Sequence, residues 1–222
     1  MELTPLQLSL VLACLTTISL LVVGLPLAYF VSRSQSRLRG VVDALVTLPL
    51  VIPPTVLGFY LLTALGPRSP IGAAIESIGG FRMVFSFPGL WLGAVILNLP
   101  FAVRPFAASM GAVDQRLVEA AYTLGDSPIK AFFRIILPLS WPGIVGGSVL
   151  VFVHTLGEFG VALMIGGAIP GRTQTLSIDL YNKVQAMDYA GAHGVALALV
   201  GTSFVGLCAV YMNRPRSVRP LQ

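Results

Sequence analysis

Charge is what this sequence most lacks. Only 10% of its 222 residues are Asp, Glu, Lys or Arg, whereas about a quarter of an ordinary soluble domain is charged. Hydrophobic residues make up 55% of the chain. This balance excludes an ordinary soluble domain and places the chain among membrane proteins.

Cysteines are few, and a nucleotide-binding signature is absent. Cys14 and Cys208 both fall in apolar runs, where we interpret them as small packing residues rather than as a disulfide or a metal site. The phosphate loop GxxxxGKS or GxxxxGKT, which cradles ATP, does not occur. No catalytic triad or metal-ligand cluster stands out either. We therefore expect no catalytic residue, no metal site and no cofactor bound by this chain, which cannot itself be an ATPase.

Long uncharged runs are what the sequence has instead. Five runs of 21 to 30 residues carry no charge: 3–32, 44–67, 83–103, 135–157 and 189–213. A helix of about 20 apolar residues crosses a bilayer and satisfies its own backbone groups there. We predict an all-α integral membrane protein, one domain over 1–222, with five transmembrane helices near 8–31, 42–65, 89–110, 141–165 and 193–212. The first run is too long, and its flank too acidic, for a signal peptide.

Basic residues near the helix ends predict the orientation. With the N-terminus outside, nine Lys or Arg lie in inner segments and four in outer segments. The inner set is Arg33, Arg37, Arg39, Arg116, Lys130, Arg134, Arg214, Arg216 and Arg219, and the outer set is Arg68, Arg82, Arg172 and Lys183. This bias predicts a cell-membrane protein with its N-terminus outside and its C-terminus cytoplasmic. The net charge of +5 therefore requires no nucleic-acid partner. Arg104 lies within a span, where snorkelling to the inner interface is favoured over a pathway role.

The inner segment 111–140 predicts two short helices joined by a sharp turn. Four apolar residues recur at helical spacing: Val113, Leu117, Ala121 and Leu124. Gly125 suits the left-handed turn that ends a helix. Ser127 and Pro128 suit the N-cap and first position of a second helix, which we expect Pro138 to end. An interfacial amphipathic hairpin would show the same local pattern.

Prolines interrupt the second apolar run. Pro49, Pro53 and Pro54 cannot all occupy a regular helix interior, so this span should be bent or locally unwound, with the freed carbonyls facing protein or water. Such a segment either lines a pathway or forms a packing kink. Thr55 follows directly.

Polar groups also occur at membrane depth in the third and fourth runs. Asn98 should face a partner helix or a cavity, and His154 and Glu158 are four residues apart on one predicted helix face. Glu158 either pairs with His154, Arg82 or Arg172, or makes a structural hydrogen bond at a bend before Gly160. The candidates for the translocation pathway or its gate are Pro53, Pro54, Thr55, Asn98, His154, Glu158, Phe159 and Gly160.

Two sets of motifs resemble a known family. The spacing of Glu119-Ala120-Ala121, Gly125 and Ile135-x-Leu137-Pro138 resembles the EAA loop of permease subunits of ABC importers. The segments LPLVIPPTVLGF at 48–59 and LGEFGVALMIGGAIPGRTQTL at 156–176 are similar to those of molybdate permeases, which are closely related to sulfate/thiosulfate and tungstate permeases.

The resemblance implies a type I importer fold, with a cytoplasmic coupling helix between the third and fourth spans. It also implies a homodimer that moves an oxyanion by alternating access, with molybdate as the first candidate. Two cytoplasmic ATP-binding subunits would carry ATP and Mg, and an external oxyanion-binding protein would deliver the cargo. The residues implied in ATPase coupling are Glu119, Ala120, Ala121, Gly125, Asp126 and Pro138. Sulfate/thiosulfate or tungstate cargo stays open. A non-transporting membrane scaffold is the hypothesis from another class, and the prolines and polar groups at membrane depth argue against it.

Overall fold

The computed structural model describes residues 4–212, so Arg214, Arg216 and Arg219 of the basic tail lie outside the described residues. All regular secondary structure within 4–212 is helical, which confirms the predicted all-α class. The helices are α1 Pro5–Arg33, α2 Leu38–Val51, α3 Pro54–Leu65, α4 Pro70–Gly79, α5 Phe87–Gly111, α6 Gln115–Thr123, α7 Pro128–Ala131, a π-helical turn Phe132–Ile136, α8 Leu137–Gly157, α9 Gly160–Gly166, α10 Leu176–Gln185 and α11 Tyr189–Met212.

Four helical stretches of the described chain are long and apolar enough to cross a membrane: α1, α5, the stretch Pro128–Gly157 and α11. The pair α2 and α3 forms a fifth span if it is counted as one, although its two halves meet at 110°. The sequence therefore locates the apolar stretches correctly but does not show how sharply the second one is divided.

The core lies where α1, α5 and α8 pack together. Phe106 of α5 is fully buried at its centre, beside Ala102, Leu20 and Ile144. A Cβ atom on Gly147 of α8 would come within 2.8 Å of the Phe106 ring. Small residues let helices approach closely inside a bilayer, so this contact fixes α8 against α5.

Pro53 and Pro54 divide the second span. Ile52 and Pro53 are extended, and Pro54 begins α3. At the first position of a helix, proline loses no hydrogen bond because that N–H has no partner inside the helix. The predicted single helix 42–65 is therefore two helices, and the bend expected at the prolines is a complete break.

The fourth span differs at both ends from the prediction 141–165. Pro138 does not end a short helix, because helical structure runs from Pro128 to Gly157 through the π turn. A π turn is wider than an α turn and accommodates a proline ring, which in a regular helix clashes with the carbonyl four residues earlier. At its other end α8 stops at Gly157, and α9 begins only at Gly160.

Candidate functional site

The breaks in two helices lie against each other. One break separates α2 from α3 at Pro53, and the other separates α8 from α9 at Glu158 and Phe159. A Cβ atom on Gly160 would come within 2.9 Å of the Pro54 Cβ. One turn further along α3, a Cβ on Gly58 would come within 3.1 Å of the Val161 Cα. The structure thus joins two groups of pathway candidates that are about 100 residues apart in the sequence.

Glu158 caps the start of α9. Its backbone is extended, its side chain is buried, and its Oε1 accepts a hydrogen bond of 2.7 Å from the Val161 N–H. A carboxylate there satisfies a free N–H and offsets the positive end of a helix. Of the two interpretations of Glu158, the structure shows the hydrogen bond at the bend.

The predicted ion pairs of Glu158 are not formed. The four ion pairs among residues 4–212 do not include Glu158. His154 instead pairs with Asn98. The physical reason is the end of α8 at Gly157, which removes Glu158 from the helix face that carries His154.

The segment after α9 folds back onto this break. The Ser177 hydroxyl donates to the Glu158 carbonyl and lies 2.9 Å from the Thr175 hydroxyl. Thr173 is fully buried; its hydroxyl donates to the Gly166 carbonyl at 2.7 Å and accepts from the Ile169 N–H at 3.0 Å. These hydroxyls hold the ends of α9 in place, a role that sequence reasoning missed because the partners are set by the chain reversal.

Asn98 and His154 form a polar contact between α5 and α8. Asn98 is fully buried, its Oδ1 lies 2.9 Å from His154 Nδ1, and its Nδ2 donates to the Ala94 carbonyl at 2.8 Å. The Phe101 ring stacks on the imidazole at 4.1 Å between centroids. Asn98 thus faces a partner helix, one of the two placements expected for an intramembrane amide.

The surface of α2 and α3 around the break is uncovered in a single chain. Pro53, Pro54 and Thr55 are exposed, as are the large side chains Val51 and Tyr60. Pro53 and Pro54 have no N–H, so the carbonyls four residues before them lack a helical partner, and such carbonyls and the Thr55 hydroxyl at membrane depth require protein or water as neighbours. This surface is therefore built to face another subunit or a cavity.

The helix α6 ends in the predicted glycine turn. Gly125 has φ +88°, and the N–H groups of Gly125 and Asp126 bond back to the carbonyls of Tyr122 and Ala121. This is the pattern of a Schellman cap. Ser127 then caps the next helix by accepting from the Lys130 N–H at 3.4 Å, as its sequence predicts.

The predicted apolar stripe of this segment is only half buried. Val113, Ala121 and also Val118 are in the core, but Leu117 is 49% exposed and Leu124 86% exposed. The helix turns Val118 and Ala121 towards Ala131 and Ile136 of the following stretch, which leaves Leu117 and Leu124 on the open side. Glu119 and Ala120 are exposed as well. We call Leu117, Glu119, Ala120 and Leu124 the coupling surface, after the role that the family resemblance implies for Glu119 and Ala120.

Arg33 at the end of α1 holds the start of α6. Its Nη2 donates to the carbonyls of Met110 at 2.8 Å and Val113 at 2.9 Å, and its Nη1 donates to Gln115 Oε1. A cation at the last carbonyls of a helix is favourable. Arg33 therefore ties α6 to both α1 and α5.

Arg104, which the sequence predicts to snorkel to the inner interface, pairs with a side chain of α2. Its guanidinium lies 3.1 Å from an Asp43 carboxylate oxygen on α2 and also donates to the Thr47 hydroxyl. The partner was not predictable, because it lies 61 residues away in the sequence.

A cavity of about 750 Å³ opens between the segment before α5 and the segment after α9. Its lining includes Phe81, Arg82, Phe85 and Arg172. Phe85 has a left-handed backbone with φ +57°, held by a 2.8 Å bond from its N–H to the Ile165 carbonyl. Backbone strain of this kind concentrates at functional sites. We call these four residues the outer pocket, after the orientation predicted from the sequence.

No group of three or more His, Cys, Asp or Glu that could hold a metal ion is found within residues 4–212.

Comparison with known proteins gives consistent matches. The family model described as "Binding-protein-dependent transport system inner membrane component" matches residues 21–217. The molybdenum transport system permease protein ModB of Azotobacter vinelandii is 46% identical over 213 residues, covering 96% of this chain and 94% of the relative. The ModB protein of Escherichia coli K12 is 36% identical, covering 80% and 78%. A probable sulfate transport system permease protein, cysT of Anthoceros angustus, is 32% identical, covering 84% and 65%.

Solved structures match over most of the chain. The MetNI methionine ABC transporter in an inward-facing conformation aligns with TM-score 0.72 at 18% identity, covering 92% of this chain and 90% of that one. A bacterial alginate ABC transporter, in complex with a periplasmic protein that carries an alginate pentasaccharide, aligns with TM-score 0.74 at 20% identity, covering 94% and 75%. At these identities the matches show a shared fold.

Proposed function

Because the chain belongs to the family of binding-protein-dependent transport system inner membrane components, we propose that it is the membrane-spanning permease subunit of an ATP-driven molybdate importer. The proposal that molybdate is the cargo rests on the 46% identity to a molybdenum permease over 96% of the chain. The fold it shares with the methionine and alginate transporters supports the same class of protein.

Energy enters from the cytoplasmic side. The coupling surface offers two bare leucines beside Glu119, a combination suited to a cleft on a partner protein. Two cytoplasmic ATP-binding subunits, which hold ATP and Mg, would bind there. Ala120 and Ala121 have small side chains that let α6 seat closely, and the Asp126–Arg134 ion pair at 3.4 Å braces the turn.

Motion would reach the membrane through one continuous stretch. The 30 residues from Pro128 to Gly157 span about 45 Å as a helix. They begin three residues after Gly125 and end at the break capped by Glu158. Closure of the ATP-binding subunits would therefore move α9, and with it α3, which packs against α9 at Gly58 and Gly160.

The pathway would lie between two copies of the chain. The uncovered surface at Pro53, Pro54 and Thr55 supports this arrangement, because it needs a neighbour other than lipid. In a homodimer, the two sets of broken helices would face each other and open alternately to either side. The positive-inside bias supports an outer N-terminus and a cytoplasmic C-terminus.

The outer pocket is the proposed contact for an external oxyanion-binding protein. It combines two arginines with two phenylalanines, and arginine and aromatic residues are enriched at protein interfaces. Its volume of about 750 Å³ suits several side chains of a protein loop rather than one small anion.

Reconstitution tests the function directly. The chain would be co-purified with the candidate ATP-binding subunit, placed in liposomes, and supplied with the binding protein and molybdate. We expect molybdate-stimulated ATP hydrolysis together with molybdate uptake, and the absence of both would reject the proposal. Because a sulfate permease is also a relative, competition by sulfate and tungstate would identify the preferred anion.

A further inference from the structure

Arg104, Asp43 and Thr47 form a compact polar cluster between α5 and α2, which we call the Arg104 cluster. Arg104 Nη1 lies 3.1 Å from Asp43 Oδ1 and 3.3 Å from Oδ2, and its Nη2 donates to the Thr47 hydroxyl. The Thr47 hydroxyl donates in turn to the Asp43 carbonyl at 2.6 Å. The guanidinium is therefore held in one orientation by both partners.

The cluster lies inside the cytoplasmic ends of both helices. Arg104 precedes Gly111 at the end of α5 by seven residues, and Asp43 follows Leu38 at the start of α2 by five residues. At 1.5 Å per residue these separations are about 10 Å and about 8 Å. Arg104 is also six residues, about 9 Å along α5, from Asn98 and its contact with His154.

The cluster is not covered by the rest of the chain. The side chains of Arg104 and Asp43 are 48% and 32% exposed. Charged side chains in membrane-spanning segments face a water-filled cavity or protein, because exposing them to hydrocarbon is costly. The open face of the cluster therefore looks away from lipid, like the uncovered surface around Pro53 on the same span.

We propose that Arg104 is a contact for the oxyanion in the inner half of the pathway, with Asp43 as the resident counter-ion; this inference rests on the proposed function. A guanidinium donates two parallel hydrogen bonds to a carboxylate, and the same fork fits two oxygens of a tetrahedral oxyanion. The arriving anion takes the place of the Asp43 carboxylate on Arg104. The negative charge of Asp43 then lies beside a doubly negative anion and repels it, so the anion is passed on rather than held.

Removing the charge of Arg104 and removing the charge of Asp43 should change molybdate binding in opposite directions. The variants Arg104→Gln and Asp43→Asn would be assembled with the ATP-binding subunits, and radiolabelled molybdate binding would be measured by equilibrium dialysis without the binding protein. We expect Arg104→Gln to weaken binding about tenfold and Asp43→Asn to strengthen it about fivefold, because the first removes a charged hydrogen-bond donor and the second a competitor. Lys183→Gln, which removes a separate ion pair on α10, is the matched control and should change neither.

Transport in liposomes gives a second measurement. Arg104→Gln should lower the initial rate of uptake about tenfold while ATP hydrolysis stimulated by the loaded binding protein persists, and Arg104→Lys should be intermediate because it lacks the fork. If Asp43→Asn weakens binding and uptake as Arg104→Gln does, or if either variant fails to assemble, the pair only holds α2, or a neighbouring subunit, in place and the inference is overturned. Wild-type uptake in Arg104→Gln would overturn it too. No stimulated uptake in the wild-type complex would instead reject the proposed function.

Discussion

The Cβ of Pro54 lies 2.9 Å from the position that a Cβ on Gly160 would occupy. Real Cβ atoms do not approach each other so closely, so the break in the second span and the break in the fourth span can meet only because residue 160 is glycine. Each break exposes backbone at membrane depth, and each serves as the neighbour of the other. Movement at one break therefore displaces the other.

Gly160→Ala should uncouple the two breaks. The added methyl group meets a rigid proline ring and a backbone N–H of Thr55 at 3.4 Å, and overpacking of this kind costs about 1–3 kcal/mol. We expect a lower melting temperature and a loss of molybdate uptake in liposomes. Gly157→Ala is the control, because nothing lies within 4 Å of a Cβ there. Equal uptake by wild type and Gly160→Ala would show that the close contact is dispensable.

Substitutions of Glu158 should separate its capping role from a need for charge. Glu158→Gln keeps an oxygen that accepts from the Val161 N–H, whereas Glu158→Ala removes it. We expect the alanine variant to lose about 1 kcal/mol of stability and much of its uptake, and the glutamine variant to stay near wild type. Thermal unfolding and uptake assays measure both. A glutamine variant that is stable but inactive would show that the charge itself acts in transport.

Gly125→Val should impair coupling to the ATP-binding subunits. A β-branched residue at φ +88° is strained, at a cost of about 1–3 kcal/mol, and the turn that positions the coupling surface would shift. We expect weaker co-purification with the ATP-binding subunit and slower uptake, with membrane insertion unchanged. Gly40→Val is a suitable comparison, because a Cβ there meets nothing within 4 Å. Normal uptake by Gly125→Val would count against the coupling assignment.

Arg172→Glu should weaken docking of the external binding protein. Reversing a charge in the outer pocket replaces attraction to acidic side chains by repulsion, which we expect to raise the dissociation constant about tenfold or more at low salt. Binding to the reconstituted complex would be titrated at two ionic strengths. Arg68→Glu carries the same change at another outer arginine, and equal losses in both variants would indicate a general charge effect rather than a specific pocket.

Local signals in the sequence predict the features that neighbouring residues determine. The apolar runs, the Gly125 turn, and the Ser127–Pro128 helix start are all present in the structure. The all-α class is confirmed, and so is the resemblance to importer permeases of the molybdate type. The apolar runs, the glycine turn and the helix start each depend on hydrophobicity, glycine conformation or proline geometry within a few residues.

Features set by an unusual helical turn or by packing between helices were missed or wrong. Pro138 was expected to end a helix, but the π turn before it accommodates the ring. Leu124 belongs to the apolar stripe of the sequence but is exposed, because the packing of Ala131 and Ile136 buries Val118 instead. Partners such as Asp43 for Arg104 are set by the packing of helices, which no local pattern records. The roles of the coupling and pathway residues stay predictions.

The π turn at Phe132–Ile136 also determines how the residues before it are rotated about the helix axis relative to the residues after it. An α-helix turns by about 100° per residue, and a π turn accommodates an additional residue in one turn. It lies between the coupling surface and the part of the stretch that reaches the break at Glu158. The orientation of α7 relative to α8, and of the Gly125 turn that leads from α7 to the coupling surface, thus depends on the winding of five residues. A change in the winding of the π turn would therefore rotate the coupling surface relative to the break at Glu158.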